Sequence, residues 1–85
     1  MENIKQLRKR IDEIDEQILQ SLSKRTETCR SIGLVKKTHG IPIEDLPREN
    51  DVYAHIKKKA VALGLDPAQV EAIYRQIVKM CISVQ

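Results

Sequence analysis

The N-terminal segment up to Gly40 carries one uninterrupted helical pattern, and this pattern restricts the fold more than any other feature of the sequence. Apolar side chains recur at steps of three and four residues, the spacing of one helix face, at Ile4, Leu7, Ile11, Ile14, Ile18 and Leu22. Gly40 and Pro42 are typical of a helix end. The helix should pass through Gly33, where a missing Cβ can admit a close neighbour or a ligand, and a helix of about 35 residues is roughly 50 Å long.

Such a helix is too long to be covered by the rest of its own chain. The sequence has 85 residues, and a compact domain of that size has a radius of gyration of about 12 Å. The two helical segments that follow are each shorter than about twenty residues, too short to cover the apolar face. We therefore expect a second copy of the chain to cover it, in an intertwined two-fold homodimer whose long helices cross.

Two shorter helices follow the long one. Asp45, with Pro47 in the first turn, predicts the start of the second helix, which should end at Gly64. Asp66, directly before a proline, predicts the start of the third helix. The predicted fold class is all-α: a three-helix protomer with one very long N-terminal helix, forming a single domain over residues 1–85.

Composition excludes several classes of protein. The net charge of +3 arises from 15 basic and 12 acidic residues without a block of like charges, so a nucleic-acid-binding arm is not expected. Cys29 and Cys81 lie far apart, with no His at the spacing of zinc ligands, which predicts reduced thiols, no disulfide framework and no metal site. The chain has neither a signal-peptide core nor an apolar run of about 18 residues, so we expect a soluble cytoplasmic protein.

Charged residues continue the apolar faces of the first two helices. Arg25 and Lys36 lie eleven residues apart, which places them about 20° apart around the helix and roughly 16 Å apart along it, facing a common cavity. Asp45 and Glu49 lie on the same helix face as the apolar residues Val52, Tyr53, Ile56, Ala60 and Leu63. Charges that continue a core-facing stripe are exposed at its end, paired, or used on a ligand.

Each of these residues, taken alone, has an ordinary explanation. Arg25 and Lys36 can be surface cations whose apolar stems lie along the helix. Asp45 can be a simple N-cap, and Glu49 can be a carboxylate stabilised by the helix N-terminus. The two cysteines are most often small core residues.

Arg8 determines how a shared site would have to be built. It precedes Arg25 by seventeen residues, which corresponds to about 25 Å along the helix axis and about 100° around it. Two guanidinium groups so far apart on one straight helix cannot hold one small molecule. If both serve one site, Arg8 must come from the other protomer.

Four charged segments stand in a fixed order along the chain. They are Leu7-Arg8-Lys9-Arg10-Ile11-Asp12-Glu13-Ile14-Asp15, then Lys24-Arg25, then Lys36 ahead of the Gly-Ile-Pro-Ile loop, and finally Asp45-Leu46-Pro47-Arg48-Glu49. On these residues the chain resembles the all-helical (AroQ-class) chorismate mutases, and the resemblance covers essentially the whole chain. The ordered combination is specific, although each segment alone is a weak signal.

The resemblance implies an isomerase that converts chorismate to prephenate in the biosynthesis of aromatic amino acids. The reaction is an intramolecular Claisen rearrangement, so the resemblance implies no nucleophile, no cofactor and no metal. The enzyme must hold a dianion in a folded conformation and stabilise the negative charge that develops on the ether oxygen. The resemblance also implies a homodimer with two sites shared between the chains.

Three residues take catalytic roles by this resemblance: Lys36, Gln85 and Glu49. Lys36 and Gln85 would donate hydrogen bonds to the ether oxygen. Glu49, together with Asp45, would hold the ring hydroxyl. Gln85 is the last residue of the sequence, where a helix is expected to fray.

Eight residues would bind the substrate by the same resemblance: Arg8, Arg25, Lys36, Asp45, Arg48, Glu49, Cys81 and Gln85. Arg25 and Arg8 of the partner subunit would grip the two carboxylates, because a planar guanidinium matches a carboxylate better than an ammonium does. Arg48 would support the carboxylates and Glu49. Cys81 would line the site where the relatives commonly carry Ser, so that it offers only a weak S–H contact.

Two other functions are compatible with the sequence. An isochorismate pyruvate lyase-like enzyme would need the same arginines and a loop lysine, but the pair Asp45 and Glu49 favours the mutase. A non-catalytic regulatory helical dimer module is the second, because small mutases can depend on a regulatory partner enzyme for full activity. A nucleic-acid binder is disfavoured, since Lys57, Lys58 and Lys59 form a short cluster without a recognition helix.

Overall fold

The computed structural model describes residues 3–85, and the described chain consists of three α-helices without any strand. Helix α1 spans Ile4–His39, α2 spans Leu46–Ala62 and α3 spans Pro67–Val84. The predicted all-α class and the three-helix protomer are confirmed. Met1 and Glu2, which the predicted domain of residues 1–85 includes, lie outside the described residues.

Helix α1 is continuous over 36 residues, and both of its ends are capped. At the start, the Asn3 side chain accepts a hydrogen bond from the Gln6 amide (2.9 Å), and the Gln6 side chain accepts one from the Asn3 amide (3.1 Å). At the end, Gly40 has φ 66° and donates its N–H to the Lys36 carbonyl. The helix passes through Gly33 without a break, as predicted.

The starts of α2 and α3 follow the predicted capping signals. An Asp45 carboxylate oxygen accepts a hydrogen bond from the Arg48 amide at 3.1 Å, and a proline occupies the first turn. An Asp66 carboxylate oxygen accepts hydrogen bonds from the amides of Ala68 (2.9 Å) and Gln69 (3.2 Å). Gly64 provides the left-handed turn between the two helices, with φ 74°.

Helix α3 is the central helix of the protomer. It packs against both α1 and α2, whereas α1 and α2 make no close backbone contact over residues 3–85. The buried core is correspondingly small and consists of Cys29, Tyr53, Ile56, Ala60 and Val78. The position of α1 relative to α2 therefore depends on α3.

A charged cluster on the surface joins α2 to α3. The Lys57 ammonium contacts the Glu71 carboxylate at 3.0 Å, and the Arg75 guanidinium lies 4.5 Å from the centre of the Tyr53 ring. The hydrogen bond from Lys57, with a further contribution from Arg75, holds the pKa of the Glu71 carboxyl below its usual value. At a pH above the usual pKa of a glutamate, this lowered pKa stabilises the folded protein. The stabilisation is lost as the pH falls through the lowered pKa.

The N-terminal half of α1 extends away from the other helices and leaves its apolar face uncovered. Ile4, Leu7, Ile11, Ile14 and Ile18 are 45–64% exposed. The radius of gyration is 16.2 Å, well above the value of about 12 Å for a compact domain of this length. The prediction that α1 overshoots its own chain is confirmed.

One apolar residue of the predicted core-facing stripe of α2 is not buried. Leu63, predicted to lie on the core-facing stripe of α2, is 65% exposed in the protomer, because α2 ends at Ala62 and the chain turns away there.

Over residues 3–85, none of the three helices has an apolar stretch sufficient to span a lipid bilayer.

Candidate active site

One cavity of about 440 Å³ lies where the C-terminal half of α1, the start of α2 and the end of α3 meet. Five charged residues of both signs line it: Arg25, Lys36, Asp45, Arg48 and Glu49. Its other walls are largely apolar and are formed by Ile32, Ile43, Val52, Val78 and Ile82. A cavity of this size with apolar walls and a few convergent charged groups is typical of a site for a small polar molecule.

The cations in this cavity have no anionic partner among residues 3–85. Neither Arg25, Lys36 nor Arg48 forms an ion pair with a carboxylate over the described residues. Arg25 is half-buried, and its guanidinium approaches the Cys29 sulfur at 3.9 Å. Three cations against two carboxylates leave the cavity with an excess of positive charge, which attracts an anionic ligand.

Lys36 is held in a fixed position at the edge of the cavity. Its ammonium donates one hydrogen bond to the Ile43 carbonyl and another to the Gln85 side-chain oxygen, both at 2.8 Å. An ammonium has three N–H donors. One donor of Lys36 therefore remains for a ligand. The role of the Ile43 carbonyl was not predicted, because its only sequence signal is the short loop after Gly40.

Gln85 is held in place rather than frayed. It is half-buried, its amide nitrogen donates to the Cys81 sulfur at 3.2 Å, and its amide oxygen accepts from Lys36. Its backbone lies against Gly33, where a Cβ would come within 2.7 Å of the Gln85 Cα atom. The expected fraying is therefore wrong, and the expectation that Gly33 admits a close neighbour is confirmed.

The two carboxylates lie at the start of α2. Asp45 caps the helix with one oxygen, as its ordinary explanation predicted, and its side chain also lines the cavity. Glu49 is half-buried in the first turn, where the partial positive charge of the helix N-terminus stabilises a carboxylate. Each carboxylate thus keeps oxygen atoms free to accept hydrogen bonds from a ligand.

Cys29 and Cys81 are not free thiols but form a disulfide between α1 and α3. Their Cα atoms are 5.2 Å apart although 52 residues separate them in sequence, so the prediction of two reduced, isolated cysteines is wrong. The spacing of two cysteines along the chain cannot predict a disulfide that depends on how two helices pack. The weak S–H contact predicted for Cys81 does not exist in this state, although its side chain lines the cavity.

Arg8 is the one predicted site residue that lies away from the cavity. The other seven line it: Arg25, Lys36, Asp45, Arg48, Glu49, Cys81 and Gln85. Arg8 is exposed in the uncovered half of α1, beside a shallow depression formed with Asn3 and Lys5. Within residues 3–85, no group of three His, Cys, Asp or Glu side chains is arranged to hold a metal ion.

The sequence of this chain matches a known protein family and several known proteins. Residues 7–85 match the model of a family described as chorismate mutase type II. A bifunctional chorismate mutase/prephenate dehydratase from Aquifex aeolicus is 38% identical over 88 residues, which cover 100% of this chain and 24% of that protein. A chorismate mutase from Methanocaldococcus jannaschii is 38% identical over 58 residues, covering 68% of this chain and 59% of that protein.

A third relative is named for a different substrate. A 4-amino-4-deoxychorismate mutase from Streptomyces pristinaespiralis is 32% identical over 72 residues, which cover 85% of this chain and 56% of that protein. The chain thus spans between 24% and 59% of the length of these three relatives.

Proposed function

This chain belongs to the chorismate mutase type II family, and we propose from this membership that it converts chorismate to prephenate. One observation carries the proposal: a single cavity gathers three cations, Arg25, Lys36 and Arg48, none of which forms an ion pair with a carboxylate over the described residues. Chorismate is a dicarboxylate, so its negative groups can bind the cations of a cavity in which positive charges outnumber negative ones.

The reaction breaks one C–O bond and forms one C–C bond within the same molecule, so no proton is transferred. The protein must therefore fix the geometry of the substrate and stabilise the charge that develops on the ether oxygen. Lys36 retains one N–H donor after its two hydrogen bonds within the protein. The Gln85 amide donates one N–H to Cys81 and retains the other. We assign these two remaining donors to the ether oxygen.

The other charged groups bind the rest of the substrate. Arg25 offers a guanidinium to one carboxylate, and Arg48 supports the carboxylates and Glu49 from the start of α2. Asp45 and Glu49 accept the hydrogen bond of the ring hydroxyl. The carboxylate pair within the cavity favours the mutase over an isochorismate pyruvate lyase-like enzyme.

The other substrate carboxylate would bind a second guanidinium. We assign it to Arg8 of the partner subunit in an intertwined homodimer. Two observations support this arrangement: Arg8 lies on the N-terminal half of α1, and the apolar face of that half is uncovered in the protomer. A second copy that covered this face would lay its own Arg8 near the cavity.

The wider setting of the protein is also a proposal. The relative from Aquifex aeolicus is a bifunctional protein, and we propose that this chain works with a regulatory partner enzyme in the cytoplasm. A purely regulatory, non-catalytic dimer is the alternative.

Incubation of the purified protein with chorismate tests the proposed function. We expect the absorbance of chorismate to fall and chromatography to identify prephenate. Pyruvate as the product would assign the lyase instead. No conversion by the folded dimer would exclude both enzymes and leave the regulatory module.

Replacing Gln85 by Glu should make turnover depend on pH. Gln is neutral at every physiological pH, so we expect the wild-type rate to be roughly flat from about pH 6 to 8. A carboxylate in that place donates to the ether oxygen only when it is protonated, so the variant should be slow at neutral pH and recover as the pH falls. The measurement is the pH–rate profile of both proteins, with folding checked at each pH. A flat profile for the variant would show that residue 85 does not reach the ether oxygen.

Replacing Gly33 by Ala should displace Gln85. The new Cβ would lie 2.7 Å from the Gln85 Cα atom and 3.0 Å from its carbonyl oxygen, so the backbone of α3 must move. We expect kcat to fall by about tenfold to 10²-fold, although Ala favours the helix more than Gly does.

A double-mutant cycle separates this positioning role from a general loss of structure. In a protein that already carries Gln85→Ala, the further change Gly33→Ala should lower kcat only slightly, because the displaced donor is already absent. Fully independent losses in the double variant, or a wild-type kcat for Gly33→Ala, would contradict the role.

A further inference from the structure

The Cys29–Cys81 disulfide forms part of the wall of the candidate active site. Both cysteines line the cavity. The Arg25 guanidinium lies 3.9 Å from the Cys29 sulfur, and the Gln85 amide nitrogen lies 3.2 Å from the Cys81 sulfur. The bond therefore contacts a residue assigned to a substrate carboxylate at one end and a residue assigned to the ether oxygen at the other.

The same bond is the covalent connection between α1 and the end of α3. Helix α1 makes no close backbone contact with α2 over the described residues, so α3 is the helix against which it packs in the protomer. Gln85 lies one turn beyond Cys81. The placement of Gln85 beside Lys36 thus depends on the part of α3 that the disulfide ties to α1.

The two sulfur atoms differ in access and in surroundings. Cys29 is 3% exposed, whereas Cys81 is half-buried and open to the cavity. An attacking thiolate can therefore reach Cys81 through the cavity. Cys29 would then leave as a thiolate, which the neighbouring guanidinium of Arg25 stabilises, and a stabilised leaving thiolate speeds thiol–disulfide exchange.

We propose that Cys29 and Cys81 form a thiol–disulfide switch within the site, and that reduction by a dithiol weakens substrate binding. The dithiol supplies two electrons and two protons. Its first thiolate bonds to Cys81 and breaks the Cys29–Cys81 bond; its second thiol displaces Cys81, so the dithiol becomes a cyclic disulfide and both cysteines become thiols.

The direction of the effect follows from Arg25. In the oxidised protein neither sulfur carries a charge, so the Arg25 guanidinium is free to bind a substrate carboxylate. In the reduced protein Cys29 is no longer held by Cys81, and its thiol sulfur competes with that carboxylate for the same guanidinium. Loss of the disulfide also removes the covalent link between α1 and the end of α3, which carries Gln85. This inference rests on the proposed function for its kinetic part.

The test compares the oxidised protein with the protein reduced by dithiothreitol. Alkylation with iodoacetamide followed by mass spectrometry should find no free thiol in the oxidised protein and two in the reduced one. We expect KM for chorismate to rise by about fivefold or more on reduction, the Tm to fall, and reoxidation to reverse both changes.

Two variants that cannot form the bond separate the causes. Cys81→Ala retains the Cys29 thiol and adds no hydroxyl to the cavity, so its KM should be raised in the absence and presence of dithiothreitol. Cys29→Ala lacks the competing thiol, so its KM should be lower than that of Cys81→Ala, and it should not respond to dithiothreitol.

Three results would overturn the proposal: two free thiols in the protein before reduction, the same KM in both redox states, or the same KM in the two variants. If neither state converts chorismate, the proposed function is wrong. Thiol counts and Tm still test the switch in that case, and an unchanged Tm on reduction would count against it.

Discussion

Replacing Lys36 by Ala is expected to lower kcat by about 10²- to 10³-fold, which corresponds to about 3–4 kcal/mol, while the protein remains folded. The ammonium is fixed by the Ile43 carbonyl and the Gln85 amide oxygen, so its third donor is already oriented before the reaction begins. That donor acts on charge that exists only in the transition state. The loss should therefore appear in kcat more than in the free energy of unfolding.

Lys37 provides the matched control for this experiment. It carries the same charge in the same last turn of α1, but it is exposed and does not line the cavity. Lys37→Ala should leave the rate unchanged and alter stability by no more than about 0.5 kcal/mol. Steady-state kinetics and thermal unfolding of both variants make the comparison. A wild-type kcat for Lys36→Ala would refute the role of Lys36.

Mixing two inactive variants, Arg8→Ala and Arg25→Ala, is expected to restore activity. In a shared site, each homodimer lacks one guanidinium at both of its sites. A mixed dimer carries both lesions at one site and none at the other. Random exchange makes half of the dimers mixed, and half of their sites are intact, so about a quarter of the wild-type activity should return.

A second mixture makes this test specific. Arg25 and Lys36 line the cavity of the same protomer, so a mixed dimer of Arg25→Ala and Lys36→Ala chains has one lesion at each site. This mixture should recover nothing. Native mass spectrometry verifies that subunits have exchanged, and sedimentation at low micromolar concentration should show only dimer. If exchange occurs and the first mixture stays inactive, Arg8 does not act across the interface.

The helices and their boundaries could be predicted because their signals are local. Asn3 was not recognised as a cap, but Gly40, Asp45 and Asp66 act within one turn of their own positions, so the sequence contains the whole interaction. The shared face of Arg25 and Lys36 follows from helix geometry alone, and both residues line one cavity as that geometry predicted.

Two features of the site that sequence reasoning missed depend on how α1 packs on α3. The disulfide joins residues 52 positions apart. The spacing of two lone cysteines does not indicate that their helices pack with these two residues side by side. Gln85 was expected to fray because a chain end is normally loose, but Gly33 allows its backbone to approach closely. Both errors arise from treating each helix separately, since the register between helices is a tertiary property.

The continuity of α1 places a length requirement on the chain. In the proposed dimer, one rigid helix supplies Arg25 to one cavity and Arg8 to the other, so the number of residues between them fixes both a distance and a rotation. Inserting one residue would turn Arg8 by about 100° and shift it by about 1.5 Å relative to Arg25. Substitutions on the exposed face of this segment change neither quantity. Evolution can therefore vary the outward-facing residues between the two arginines far more freely than it can vary their number.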